Sequence, residues 1–128
     1  MRLSRRALLA SPVALAMPAL AQSFPTRPIR LVVPFAAGGS ADASARMLGD
    51  PLGAALGQPV IIENRPGGGA TVGALAVARA PADGHTLLYG TPGPQIINPH
   101  LMRSLPYDPV RDLAPVSGYK RAPNAAAW

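Results

Sequence analysis

The chain contains no cysteine, which excludes disulfide frameworks, thiolate zinc sites and thiol catalysis. Aromatic residues are scarce at 5%, too few to build the stacking platforms used by single-stranded nucleic acid. Charged residues are also few, 14% against 48% hydrophobic, a balance that favours a buried core over disorder. Several catalytic signatures are missing as well. There is no G-K-[ST] phosphate loop, no G-x-S-x-G elbow and no paired acid motif. The two histidines, His85 and His100, lack a spaced histidine or carboxylate partner for a metal. His85 follows an Asp-Gly turn and is expected to face solvent, and His100 is expected in a proline-rich connection. No catalytic residue, metal site or cofactor is therefore expected.

What is present begins with a leader. Arg2, Arg5 and Arg6 precede an apolar stretch from Ala7 to Met17, and Ala19-Leu20-Ala21 then offers small residues at a cleavage site. The stretch falls short of the roughly 20 residues that span a bilayer. Residues 1–21 are expected to be a signal peptide for export to the periplasm, by the Sec or the twin-arginine route suggested by Arg5-Arg6. A cysteine-free chain suits that compartment when its core needs no staples. The leader also accounts for part of the formal charge of +6. Without its three arginines, nine basic residues face six acidic ones, and the other arginines are scattered singly. That pattern predicts no nucleic-acid partner.

With 128 residues the chain suffices for one domain. Ile29–Val33 is a β-branched run ended by Pro34, the signature of a buried strand. Gly38-Gly39 then opens a helix, with Ser40 or Asp42 as its cap. Ala45, Leu48, Leu52 and Leu56 give it one apolar face, and Gly57 closes it. Pro51 predicts a kink or break near Asp50. Val60–Ile62 is a second strand, and Arg65–Gly69 a turn that needs unusual backbone angles. A second helix over Thr71–Arg79, an Asp83-Gly84 turn and a third strand over Thr86–Tyr89 follow. Gly90–Pro94 is expected to be a loop, with a short helix from Asn98 through Met102. The β-α-β-α-β order implies an α/β domain with parallel strands and right-handed crossovers. Periodicity ends after Leu105.

Ligands of open parallel sheets bind beyond the carboxyl ends of the strands. Three loops meet that description: Pro34–Asp42, Asn64–Thr71 and Gly90–Pro94. The first two are glycine-rich and lead into helices, whose free N–H groups and partial positive charge suit a small anion. The dipole alone favours a carboxylate there by roughly 0.3–2 kcal/mol. A dinucleotide site is the competing possibility, but Gly67–Gly73 is one residue off the usual glycine spacing and follows the wrong strand. Glu63 is expected to pair locally with Arg65, and Asp42 to cap its helix rather than act as an acid or base.

The motifs P-F-A-A-G-G-S-A-D, L-G-Q-P-V-I-I-E-N-R-P-G-G-G, A-D-G-H-T-L-L-Y-G-T-P-G, I-N-P-H-L and L-P-Y-D-P-V-R-D-L-A-P-V-S occur in this order from about Phe24 to Ser117. Together they resemble the substrate-binding proteins of tripartite tricarboxylate transporters, the Bug family. The resemblance implies a parallel-sheet lobe of a periplasmic binding protein, type II-like, with a second lobe across a cleft. It implies a small organic anion as ligand, a di- or tricarboxylate or an acidic amino acid, passed by a monomer to a membrane permease. It places the ligand at Phe35, Ala36, Ala37, Gly38, Gly39, Ser40 and Asp42, and at Thr91, Pro92 and Gly93. On this basis residues 22–118 are expected to form the first lobe, and 119–128 the start of a crossover toward a second lobe that the sequence does not contain. Such an incomplete lobe is expected to bind weakly. A stand-alone interaction or sensor module is the alternative.

Overall fold

The computed structural model describes residues 23–118. The expected leader and the expected crossover therefore lie outside the described residues. Three parallel strands form one sheet in the order β2-β1-β3. They are β1 (Ile29–Val33), β2 (Val60–Asn64) and β3 (Thr86–Leu88). Ile29 pairs with Val60 and Val33 with Asn64, while Leu31 pairs with Leu87. The central strand is β1, and its near-continuous burial reflects cover on both faces. Helix α1 (Ser40–Leu56) joins β1 to β2, and α2 (Thr71–Ala78) joins β2 to β3. The two right-handed crossovers run in opposite directions across the sheet, which puts their helices on opposite faces. On one face Leu31, Val33 and Ala45 form the core, flanked by Leu48, Val60, Ile62 and Leu87.

The expected α/β architecture is observed, with local differences. Helix α1 continues through Pro51 without a break. Pro51 is exposed, and so is Met47, whose carbonyl the proline cannot satisfy. The proline therefore sits on the solvent side of the helix, while Leu48 on the inner side packs against the core. Gly57 closes the helix in the left-handed conformation at φ 69°. Neither Ser40 nor Asp42 is the N-cap; that position is Gly39, which makes no side-chain capping bond. Gly90–Pro94 is only partly a loop. A π-turn spans Gly93–Ile97 and runs directly into α3 (Asn98–Leu101). Pro94 fits because the first turn of a helix has no use for its missing N–H. His100 accordingly sits on a helix.

His85 corrects the expectation of an exposed ring. It is 6% exposed, packed edge-on against Phe24 with ring centroids 5.0 Å apart. The Arg30 N–H donates to the His85 carbonyl at 2.8 Å, which holds the residue before β3 against the central strand. The His85 N–H in turn donates to Asp83 at 3.0 Å. Glu63 behaves as expected, pairing with Arg65 and, at 2.7 Å, with Arg30 of the neighbouring strand. Its pKa is lowered, chiefly by the Arg65 hydrogen bond.

Candidate functional site

An open cleft of about 600 Å³ lies at the carboxyl end of the sheet, lined by Phe35, Ala36, Ala37, Gly38, Gly39, Ser40, Ala41 and Thr91. Its walls come from the loop after β1 and the loop after β3. These strands are neighbours, and the connections β1 to β2 and β2 to β3 run in opposite directions across the sheet. That is the switch point where open parallel sheets bind ligands. Seven of the ten residues singled out from the sequence meet here. Pro92 and Gly93 do not line the cleft but continue its wall into the π-turn. Asp42 lies beneath the loop, 4% exposed. Ala41, inside the candidate loop Pro34–Asp42 but not singled out individually, also lines the cleft.

Helix α1 starts at the cleft. Its first backbone bond is from the Ala43 N–H to the Gly39 carbonyl, at 2.9 Å. The N–H groups of Ser40, Ala41 and Asp42 therefore have no acceptor inside the helix. Asp42 instead reaches back along the chain. One carboxylate oxygen accepts from the Gly38 N–H at 2.9 Å and from Arg46 Nε at 3.1 Å. The other accepts from Asn64 Nδ2 at 3.0 Å. The Arg46 hydrogen bond, then those from Gly38 and Asn64, hold its pKa down at about 2. Asp42 is thus ionised at neutral pH, but its charge is met by Arg46 and by the positive end of α1. It does not make the cleft hostile to an anion.

Across the cleft, the Thr91 hydroxyl is buried and has no protein hydrogen-bond partner. Buried hydroxyls are usually satisfied, so this one is an unmet hydrogen-bonding group just behind the cleft wall. Pro94, also buried, anchors the chain after Thr91, because its carbonyl accepts from the Tyr107 hydroxyl at 2.7 Å.

The second glycine loop has a different task. Gly67, Gly68 and Gly69 all adopt positive φ, as does Ala70 at φ 74°. This sharp turn is needed to enter α2. Asn98 Nδ2 donates to the Gly69 carbonyl at 2.8 Å and to the Thr71 hydroxyl at 3.3 Å. The loop is thus tied to α3, and none of its residues lines the cleft. Asn64 opens the candidate loop Asn64–Thr71 but was not singled out as a site residue. Its only advance signal was an amide at the carboxyl end of a parallel strand.

Among the described residues no helix is long and apolar enough to cross a membrane, and no cluster of metal-binding side chains occurs. The sequence pattern described as tripartite tricarboxylate transporter family receptor matches residues 44–126. A UPF0065 protein of Bordetella bronchiseptica is 46% identical over 125 residues, covering 95% of this chain and 37% of the relative. Protein BugT of Bordetella pertussis is 45% identical over 104 residues, or 80% of this chain and 32% of BugT. Malate-bound MatC of Rhodopseudomonas palustris superposes with a TM-score of 0.67 at 44% identity, over 70% of this chain and 30% of MatC. An adipate-bound R. palustris protein does so with a TM-score of 0.65 at 42% identity, over 68% and 29% of the two chains. The chain spans about a third of the length of the curated relatives it matches.

Proposed function

The chain belongs to the tripartite tricarboxylate transporter receptor family, and from that premise we propose that residues 22–118 are the first lobe of a periplasmic solute-binding protein for a small organic carboxylate. The observation that supports this most is the uncapped start of α1 opening into the switch-point cleft. The Ser40 and Ala41 N–H groups are positioned for one carboxylate, with the Thr91 hydroxyl on the facing wall. Two structural relatives hold malate and adipate, both dicarboxylates, which favours the same ligand class here. The role is capture and delivery to a membrane permease rather than catalysis. Residues 1–21 serve as the export signal in this proposal.

One wall holds one end of such a ligand. In a two-lobed binding protein, the opposing wall supplies the rest of the burial and closes over the ligand. The present chain alone is therefore expected to bind at about millimolar affinity, worth roughly 4 kcal/mol. Calorimetric titration with malate, adipate and citrate, beside glucose as an uncharged comparison, tests the proposal. Weak heats with the carboxylates and none with glucose are expected. Equal responses to all four would contradict a carboxylate site, and micromolar affinity would contradict the need for a second wall.

A further inference from the structure

We propose that Asn64 is a positioning residue for the cleft, a brace that holds the β1–α1 loop in its ligand-ready shape from the end of the neighbouring strand. This rests on that cleft being the ligand site. The loop Phe35–Ser40 is exposed along its whole length and contains Gly38 at φ 84°. A glycine-bearing exposed loop has little of its own to hold one conformation.

The restraint comes from β2. Asn64 pairs in register with Val33, so its backbone is fixed by the sheet beside the last strand residue before Pro34 and the loop. Its Nδ2 donates to the Phe35 carbonyl at 3.2 Å and to the Asp42 carboxylate at 3.0 Å. One amide thereby fastens both ends of the loop: its first carbonyl, and the helix residue that accepts the Gly38 N–H. Arg46 completes the cluster by pairing with Asp42 at 3.1 Å.

These bonds also divide the labour among the loop's polar groups. The Phe35 carbonyl is turned to Asn64 and the Gly38 N–H to Asp42, so both are occupied within the protein. The carbonyl, which would repel a carboxylate, is thus kept engaged. Ser40 and Ala41 keep free N–H groups. The recognition surface narrows from the whole loop to the start of α1, and Asn64 acts on it without touching the ligand.

The test uses backbone amide exchange by NMR in the whole chain, for Asn64→Leu and Asn64→Asp. Both variants keep the residue's approximate size and lose its donors. The Gly38 amide is expected to exchange about tenfold faster or more, beyond any change in the amides of β1, since a hydrogen bond to a charged group is being loosened. A general loss of stability would raise both sets together. Gly38 exchange that merely follows β1 in both variants overturns the proposal, and so does failure of both variants to fold. A parallel titration with malate separates the two ideas. Selective release of Gly38 with a malate response weakened about tenfold supports both. Selective release with no malate response in the parent chain leaves the brace standing and removes the ligand assignment.

Discussion

Replacing Gly73 by alanine should destabilise the chain, although alanine is the better helix former. Gly73 is buried within α2, where the helix crosses the end of β1. A Cβ built there lies 2.7 Å from Pro34 Cβ, 2.9 Å from Pro34 Cα and 3.0 Å from the Arg65 carbonyl oxygen. None of these atoms is the free end of a flexible side chain. Pro34 is fully buried, so the helix itself must retreat. Overpacking of this kind costs about 1–3 kcal/mol. It is opposed by a helix-propensity gain of about 1 kcal/mol. With no atom free to give way, the overpacking falls in the upper part of its range, about 2–3 kcal/mol, so the net loss is about 1–2 kcal/mol and Tm falls by about 4–16 °C for a domain this small. Urea denaturation followed by circular dichroism reads the same quantity as a lower midpoint with an unchanged slope. Gly49→Ala is the internal comparison. Its new Cβ meets the end of the Ile62 side chain at 3.4 Å and a Val60 methyl at 3.9 Å, both ordinary van der Waals contacts, so propensity should win and the midpoint should hold or rise. A Gly73→Ala midpoint at or above the parent's would refute the packing argument.

Acid should weaken the fold through carboxylates whose protonation is resisted in the native state. Asp42 is held near pH 2, by Arg46 first and then Gly38 and Asn64, and Asp83 is also lowered, chiefly by the His85 N–H. The unfolded chain binds protons first, so both contributions are present above the ordinary carboxylate range and are lost in acid, that of Asp42 as pH falls from about 4 toward 2. Asp42→Asn should be less stable than the parent at pH 7, with the gap closing toward pH 2 in pH-dependent urea melts; a constant gap would contradict the assignment. Thr91→Val removes a hydroxyl that has no protein partner, so its urea midpoint should match or exceed the parent's, while malate binding weakens about fivefold or more. A large stability loss in that variant would show that the hydroxyl is satisfied within the fold.

Elements governed by local pattern were legible in the sequence. The run Ile29–Val33, closed by Pro34, is the observed β1 to the residue, because β-branched burial and a terminal proline act within a few positions. The turn at Gly67–Gly69 was legible for the same reason, since only glycine adopts such angles freely. Proline was less informative. Pro51 lies inside an unbroken helix and Pro94 in a π-turn, because cost depends on which face and which turn the ring occupies. His85 was misplaced since its burial depends on Phe24, sixty-one positions earlier, folding across it. The cleft loops followed from the strand-end rule, but that rule offered three loops where the structure joins two. The bonds from Asn64 to Phe35 and Asp42 span 29 and 22 positions. Nothing in local spacing announces them.

The proposed carboxylate site at the start of α1 is tested most directly by mapping backbone amide shifts during a malate titration of the 15N-labelled chain. The largest shifts should fall on Gly39, Ser40, Ala41 and Thr91, with Gly67, Gly68 and Gly69 still. Shifts centred on the second glycine loop, or none that saturate by about tens of millimolar malate, would contradict the assignment.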